Sequence, residues 1–286
     1  MKTDWLDNIN KNGFHIEKSY FNSDFISDLN LITNNILKFE KIFNLIGLGN
    51  QSKRNGTIFT SNLMFKNKIF VDLILKKNLL QLPDAFLGKY NLSEYKIVSS
   101  YNYQNFKNWW HLDYPYNLNQ NLKKSNLGIL IPLMNFNKHV GSTAFLPKSH
   151  LQDDFINNFD NEEINKNAQF LETEVGDIFL YDGKLLHTGS KNNTKSLRNL
   201  ISIQFVEKHI QPSEDMKIQY YQLNFENNIL QNIMSKYHTP GISNFGTNRN
   251  INHTIYWKIL KYPYKIYTKI IKLKLFLHKL IYKLFT

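Results

Sequence analysis

The sequence contains no cysteine among its 286 residues. This absence excludes disulfide bonds, thiolate catalysis and cysteine-ligated metal centres, so any metal must be bound by histidine and carboxylate side chains. The N-terminal stretch 1–13 has no apolar run of the kind that a secretory signal needs, which predicts a cytoplasmic protein. Hydrophobic residues make up 42% of the chain, enough for a sizeable core, and we expect one enzyme-sized domain with an extension.

Acidic residues are missing from the C-terminal part of the chain, where the last one is Glu226. Ten of the basic residues follow it, so of the net charge of +12 only +2 (12 − 10) belongs to the first 226 residues. A nearly neutral N-terminal part argues against nucleic-acid binding, and we expect none.

The basic C-terminal tail has the pattern of an amphipathic helix. Most of its lysines recur at steps of three, four or seven residues, opposite a face of isoleucine and leucine. The apolar run is interrupted too often to span a bilayer. Two interpretations stay open: residues 264–286 contact an anionic membrane peripherally, or the apolar face packs on the rest of the protein.

The N-terminal third has helical patterns. An N-cap near Ser23 predicts a helix that ends at about Lys38, and the polar segment Gly47–Thr57 predicts loops. Further helices are predicted at Lys66–Lys77 and Leu82–Lys89, the second with Pro83 in its first turn.

From about Lys96 onward, short β-branched or aromatic runs alternate with turn residues. This spacing is typical of an antiparallel sandwich or barrel. We therefore predict a mainly β, α+β fold, with a jelly-roll core buttressed by N-terminal helices and followed by the C-terminal basic amphipathic helix. The predicted strands are Tyr95–Tyr103, Leu127–Met134, Thr143–Leu146, Ile178–Tyr181 and Leu200–Val206.

Three residues have the chemistry of an open metal site. His111 and Asp113 are two positions apart, so on an extended segment both side chains leave the same face. His187 follows another predicted strand and completes a set of two imidazoles and one carboxylate. Such a set leaves three of six octahedral positions free, which suits non-haem iron(II) better than four-coordinate zinc.

Arg198 begins a predicted core strand shortly after His187. Arginine is rare here, with only three against 32 lysines, so its use at this position is unusual. A planar guanidinium can grip a carboxylate through two hydrogen bonds, which lysine cannot do. We predict that Arg198 binds the distal carboxylate of 2-oxoglutarate.

With these residues in place, the chain resembles the phytanoyl-CoA dioxygenase family of 2-oxoglutarate oxygenases. The resemblance covers about residues 12–206 and implies a double-stranded β-helix core that uses iron(II), 2-oxoglutarate and O2 and releases succinate and CO2. The matching segments are Gly13–Ile16, Trp110–Asp113, Gly141–His150, Val175–Leu180, His187–Gly189 and Arg198 with its strand. The domains follow as 1–210 for the oxygenase, 211–254 for an extension and 255–286 for the tail helix.

The resemblance also assigns secondary roles. Asn102 aligns approximately with an asparagine that assists 2-oxoglutarate in ectoine hydroxylases, and Thr143 is a second candidate for that pocket. Val140 and Lys148 replace the asparagine and glycine that the family uses in the loop on the substrate side. These departures leave the metal ligands intact and the substrate undefined.

Several neighbouring residues have a structural interpretation beside a functional one. Trp109, Trp110, Tyr114 and Tyr116 line a substrate pocket or belong to the core. Tyr181 and Asp182 are interpreted as closing a turn, and His15 and His150 as hydrogen-bonded structural residues. His139 and His209 are assigned to the surface.

The interpretation that follows is an iron(II)- and 2-oxoglutarate-dependent dioxygenase. It would hydroxylate a C–H bond of a small-molecule or lipid-like substrate. The alternative is a catalytically silent barrel that binds a ligand or partner through the same pocket.

Overall fold

A computed structural model describes residues 4–45, 51–113, 124–152, 161–210, 212–213 and 229. Within them the helices are α1 Asp4–Asn12, α2 Ser23–Leu45, α3 Leu63–Lys66, α4 Lys68–Ile74, α5 Lys77–Leu87 and α6 Asn161–Asn167. The strands are β1 Phe14–Glu17, β2 Gln51–Arg54, β3 Thr57–Thr60, β4 Tyr90–Ser100, β5 Asn126–Pro132, β6 Thr143–Phe145, β7 Gln169–Phe170, β8 Ile178–Asp182, β9 His187–Gly189 and β10 Arg198–Glu207. The predicted tail helix, nearly all of the predicted extension, and Tyr114 and Tyr116 lie outside the described residues.

The strands form two antiparallel sheets. The larger has the order β1-β8-β5-β10-β4-β3-β2, and the smaller has the order β7-β6-β9. A single bridge from His111 to His187 of β9 extends the smaller sheet, and a second isolated bridge joins Phe136 and Thr173. The mixed α and β composition and the large antiparallel sheet agree with the prediction.

Two apolar cores lie on opposite faces of the large sheet. On one face, side chains of β4 such as Tyr95 and Ile97 pack with the apolar sides of α1, α2, α4 and α5. On the other face, Phe179 and Leu200 pack with Phe145 of the small sheet. This cluster joins the two sheets. Because β5 is covered on both faces, all its residues are buried, and its sequence is a nearly continuous apolar run.

A β-hairpin stands where the sequence predicted loops. Strands β2 and β3 are joined by Asn55 and Gly56, both with positive φ (48° and 75°), which is the geometry that Asn-Gly favours in a two-residue hairpin turn. The prediction of loops was therefore wrong for residues 51–57, and the rest of the predicted segment lies outside the described residues.

The helix boundaries also differ from the prediction. Asn67 is extended and divides the predicted helix Lys66–Lys77, and its side chain caps α4 by accepting a hydrogen bond from Ile69 N at 2.9 Å. Pro83 lies inside α5, which already begins at Lys77, so its assignment to a first turn was wrong. No helix of the described ranges is both long and apolar enough to cross a membrane.

Candidate active site

Backbone pairing brings the two predicted histidine ligands together. His111 N donates to His187 O and His187 N donates to His111 O, each at 3.0 Å. The imidazole rings therefore leave the same face of the small sheet, with centroids 4.4 Å apart. The backbone of Asp113 is held by a further hydrogen bond, from its N–H to Gly183 O at 3.0 Å.

Hydrogen bonds to the backbone set the tautomer of both rings. Nδ1 of His111 lies 2.9 Å from Trp109 O, and Nδ1 of His187 lies 2.8 Å from Leu185 O. A carbonyl only accepts, so Nδ1 must carry the proton, and in the neutral ring Nε2 keeps its lone pair for a metal.

The carboxylate of Asp113 completes the cluster. Its Oδ1 lies 3.7 Å from Nε2 of His111 and 3.6 Å from Nε2 of His187, and one ligand atom from each residue lies within 4.8 Å of the others. Its Oδ2 accepts a hydrogen bond from the Tyr181 hydroxyl at 2.5 Å. Two imidazoles and one carboxylate converge on one point, which fits a divalent metal with open positions.

The protonation states of the cluster suit metal binding at neutral pH. Burial lowers the pKa of His111 to about 4, and the neighbouring His187 acts in the same direction. Burial alone would raise the pKa of Asp113, but the two histidines and the Tyr181 hydroxyl outweigh it, and its pKa lies below the ordinary value. Burial and the charge of Asp113 raise the pKa of Tyr181 well above its ordinary value, so Tyr181 stays a hydrogen-bond donor.

The segment that carries His111 is held by the hairpin β2–β3. Asn55 Nδ2 donates to Lys107 O at 2.5 Å, and Lys107 N donates back to Asn55 Oδ1 at 3.1 Å. The Arg54 guanidinium lies 3.3 Å from the ring centroid of Trp109, and that ring stacks on the imidazole of His111 at 4.8 Å. Trp109 therefore covers a predicted metal ligand and is half-exposed, whereas Trp110 joins a small apolar cluster.

Arg198 is buried at the start of β10. Its Nε and Nη2 donate to Gly141 O at 3.1 and 2.8 Å, while its buried Nη1 has no partner within the described part of the chain. Burial lowers the pKa of Arg198 to about 10, so the side chain is still charged at neutral pH. A buried charged donor without a partner is costly, and the carboxylate of 2-oxoglutarate would satisfy it.

Thr143 is buried on the strand next to a residue that borders Arg198, whereas Asn102 is exposed. Thr143 is buried in β6 and is paired with Gly189 of β9, and a Cβ added at Gly189 would lie 4.0 Å from Arg198 Nη2. Asn102 is exposed in the segment after β4, which ends at Ser100 and not at the predicted Tyr103. Its role remains a prediction.

The other histidines have the structural surroundings that were expected. His15 is hydrogen-bonded to Asn8 and Glu17, and Nε2 of His150 lies 3.0 Å from Asn10 O. His139 and His209 are exposed.

Sequence reasoning missed the role of Tyr181 in the site. The predicted strand Ile178–Tyr181 included this residue, but Tyr181 and Asp182 were also interpreted as closing a turn, whereas both lie in β8 and the Tyr181 hydroxyl contacts a predicted metal ligand. The available signal was that Tyr181 follows Phe179 by two positions in an apolar run, which places both side chains on the same face of a strand.

The sequence matches a family model described as phytanoyl-CoA dioxygenase over residues 38–200. This match contains all three predicted metal ligands and Arg198. A comparison with curated proteins finds no significant match.

Solved structures with a similar fold include HygX, AviO1 and SnoN. HygX from Streptomyces hygroscopicus, solved with nickel, 2-oxoglutarate and hygromycin B bound, has a TM-score of 0.59 and 13% identity over 74% of this chain and 90% of its own. AviO1 from Streptomyces viridochromogenes Tue57 has a TM-score of 0.57 and 20% identity over 74% of this chain and 97% of its own. The epimerase SnoN, in complex with Fe3+, alpha ketoglutarate and nogalamycin RO, has a TM-score of 0.55 and 12% identity over 71% of this chain and 82% of its own. At these identities the likeness concerns the fold, and it supports the predicted jelly-roll core.

Proposed function

Because the chain belongs to the phytanoyl-CoA dioxygenase family, we propose that it hydroxylates a C–H bond of a small-molecule or lipid-like substrate and releases succinate and CO2. The cofactors of this dioxygenase family are iron(II), 2-oxoglutarate and O2, as the sequence predicted. When bound together, they supply the oxidising chemistry, and the protein positions them and excludes water.

His111, Asp113 and His187 are the proposed iron ligands. Each imidazole presents Nε2 because its Nδ1–H is bonded to a backbone carbonyl, and Asp113 presents Oδ1 to both rings. A metal held by these three protein ligands would keep positions free for the co-substrates, which a closed four-ligand site would not.

Arg198 is the proposed anchor for the distal carboxylate of 2-oxoglutarate. Gly141 O holds the guanidinium through Nε and Nη2, which leaves Nη1 for the ligand. Thr143, buried on the neighbouring strand opposite Gly189, is proposed as a further contact in that pocket.

A single observation carries the proposal: a three-ligand metal cluster and a buried arginine with an unpartnered donor belong to one jelly-roll core. Either feature alone has structural explanations, since ionic clusters and buried arginines occur in many folds. Their combination matches what an oxygenase needs for a metal and a dicarboxylate co-substrate.

Succinate formation tests the proposal directly. The protein, incubated with iron(II), ascorbate and 2-oxoglutarate, should release succinate slowly alone and faster with a substrate from a metabolite library. Asp113→Ala is the control and should release none. A wild-type protein that binds iron and 2-oxoglutarate but never forms succinate would instead be a catalytically silent barrel.

The product analysis then tests hydroxylation itself. A substrate that stimulates succinate release should gain one oxygen atom, detected by mass spectrometry, and the atom should come from O2. A substrate that is consumed without gaining oxygen would contradict the hydroxylase assignment and leave the oxygenase chemistry in place.

A further inference from the structure

Tyr181 contacts the metal cluster although it is not one of the predicted ligands. It lies in β8, 2% exposed, and its hydroxyl donates to Asp113 Oδ2 at 2.5 Å. Its ring stacks on Phe179 and meets His187 edge-on, with a centroid distance of 5.0 Å to His187. The side chain is therefore held both by packing and by the hydrogen bond.

The two oxygens of Asp113 have different surroundings. Oδ1 faces Nε2 of both histidines at 3.6–3.7 Å, whereas Oδ2 accepts the Tyr181 hydrogen bond. A short bond between a phenol and a carboxylate is among the stronger hydrogen bonds in proteins. It directs one lone pair of Oδ2 towards Tyr181, whereas Oδ1 faces both imidazoles and is the oxygen placed to bind a metal in this arrangement.

Gly128 makes room for this position of Tyr181. The two residues are directly opposite in the pairing of β5 with β8. A Cβ added at Gly128 would lie 2.1 Å from Cζ and 2.6 Å from the hydroxyl oxygen of Tyr181. No side chain at position 128 can coexist with the observed ring, so the glycine allows the hydroxyl to reach Asp113.

We propose that Tyr181, seated over Gly128, is a positioning residue that holds Asp113 as a one-oxygen metal ligand and so keeps a coordination position open for co-substrate or O2. The inference rests on the proposed function, since it assumes that the cluster binds a metal. A carboxylate free to bind through both oxygens would occupy one more position on the metal.

Binding of Co(II) alone to the full chain tests this role without turnover. Tyr181→Phe removes only the hydroxyl, and we expect Co(II) affinity to fall about tenfold. This is the lower end of the usual range for removing a hydrogen-bond partner of a metal ligand. The visible absorption of bound Co(II) should change as well, because its intensity depends on the number of ligands.

Tyr95→Phe is the matched control. Tyr95 is also fully buried, and its hydroxyl donates to Phe70 O at 2.9 Å on the opposite face of the large sheet. Both variants lose one buried hydroxyl and should show similar losses of melting temperature. Only Tyr181→Phe should alter the Co(II) spectrum and affinity.

Gly128→Ala supplies a second variant that leaves Tyr181 and Asp113 in the sequence. The methyl group should displace the Tyr181 ring and reproduce the spectral change of Tyr181→Phe. Equal Co(II) spectra and affinities for wild type, Tyr181→Phe and Tyr95→Phe would overturn the positioning role and leave the metal assignment intact. Failure of the wild-type protein to bind Co(II) would overturn the proposed function, and this inference with it.

Discussion

His111 and His187 face each other across two backbone hydrogen bonds of 3.0 Å. The bonds belong to the sheet and not to the metal, so the protein itself sets the spacing of the two imidazoles. Removal of metal by a chelator should therefore leave the fold intact. Added iron(II) or Co(II) should raise the melting temperature in a concentration-dependent way, since a ligand that binds only the folded state stabilises it.

Replacing any one of the three ligands should abolish metal-dependent turnover. His111→Ala, Asp113→Ala and His187→Ala each remove a ligand from an open site, and we expect Co(II) affinity to fall by more than about a hundredfold. Circular dichroism should show a retained fold, because the sheet hydrogen bonds of these residues come from the backbone. Full succinate release by any of the three variants would refute the ligand assignment.

Asp113→Gly is the most informative change at the same site. The Asp113→Gly variant should have an open coordination position on its metal, and it should not hydroxylate, because no carboxylate remains to complete the ligand set. Iron binding with added chloride or azide, followed by absorption spectroscopy, would report the new open position. Hydroxylation at the wild-type rate would contradict the assigned role of Asp113.

Arg198→Lys should be damaging although it keeps the charge. A single ammonium cannot bond Gly141 O and also reproduce the fork of the guanidinium. For Arg198→Ala, loss of one partner of a buried charged pair costs roughly 3–5 kcal/mol, which weakens 2-oxoglutarate by about a hundredfold or more. Titration of the metal-to-2-oxoglutarate charge-transfer band measures this affinity, while unchanged Co(II) affinity serves as the internal control. Unaltered 2-oxoglutarate binding would rule out the anchor.

Acid should destabilise the metal-free protein in a window set by His111. Its pKa is lowered from 6.5 to about 4 by burial, so between these values the unfolded chain binds a proton that the folded protein does not. Stability is therefore full above about pH 6.5 and falls towards pH 4, by at most about 3 kcal/mol. Asp113, with its pKa below 3.8, adds a loss at still lower pH.

Urea denaturation at several pH values checks the sign of this effect. His111→Asn should flatten the decline between pH 6.5 and pH 4, whereas His209→Asn should not, because the His209 side chain is 90% exposed. An unchanged slope in His111→Asn would show that another group controls this window.

One of the two interpretations of the C-terminal tail is that residues 264–286 dock on anionic membranes. A chain ending at Pro263 should stay folded, keep its metal site and lose binding to anionic vesicles, since each lysine near such a surface contributes about 1 kcal/mol. Sedimentation with anionic and with neutral liposomes compares the full chain with the chain that ends at Pro263. Equal sedimentation would exclude the membrane interpretation, and a lower melting temperature of the shorter chain would indicate that the tail packs on the barrel.

The hairpin at Asn55-Gly56 shows why a local signal was missed. Asn-Gly is a strong hairpin signal, but the preceding residues Gln51–Arg54 are polar and largely exposed, without the alternation expected of a strand. The pairing is supplied by the sheet itself, since β3 aligns with β4 and gives β2 a partner. An edge strand of this kind forms because it pairs with the neighbouring strand, more than because of its own sequence.

The sequence by itself determined which residues are the candidate metal ligands and the candidate co-substrate anchor. Residue type and local spacing were sufficient there: an extended His-x-Asp places two ligands on one face, and a rare arginine at the head of a core strand points to a carboxylate. Only the tertiary structure decided that Tyr181 bonds Asp113 from 68 residues away and that Gly128 makes room for it. The physical reason is register, because the position opposite each residue of a strand depends on how the strands pair across the sheet, which no local pattern records.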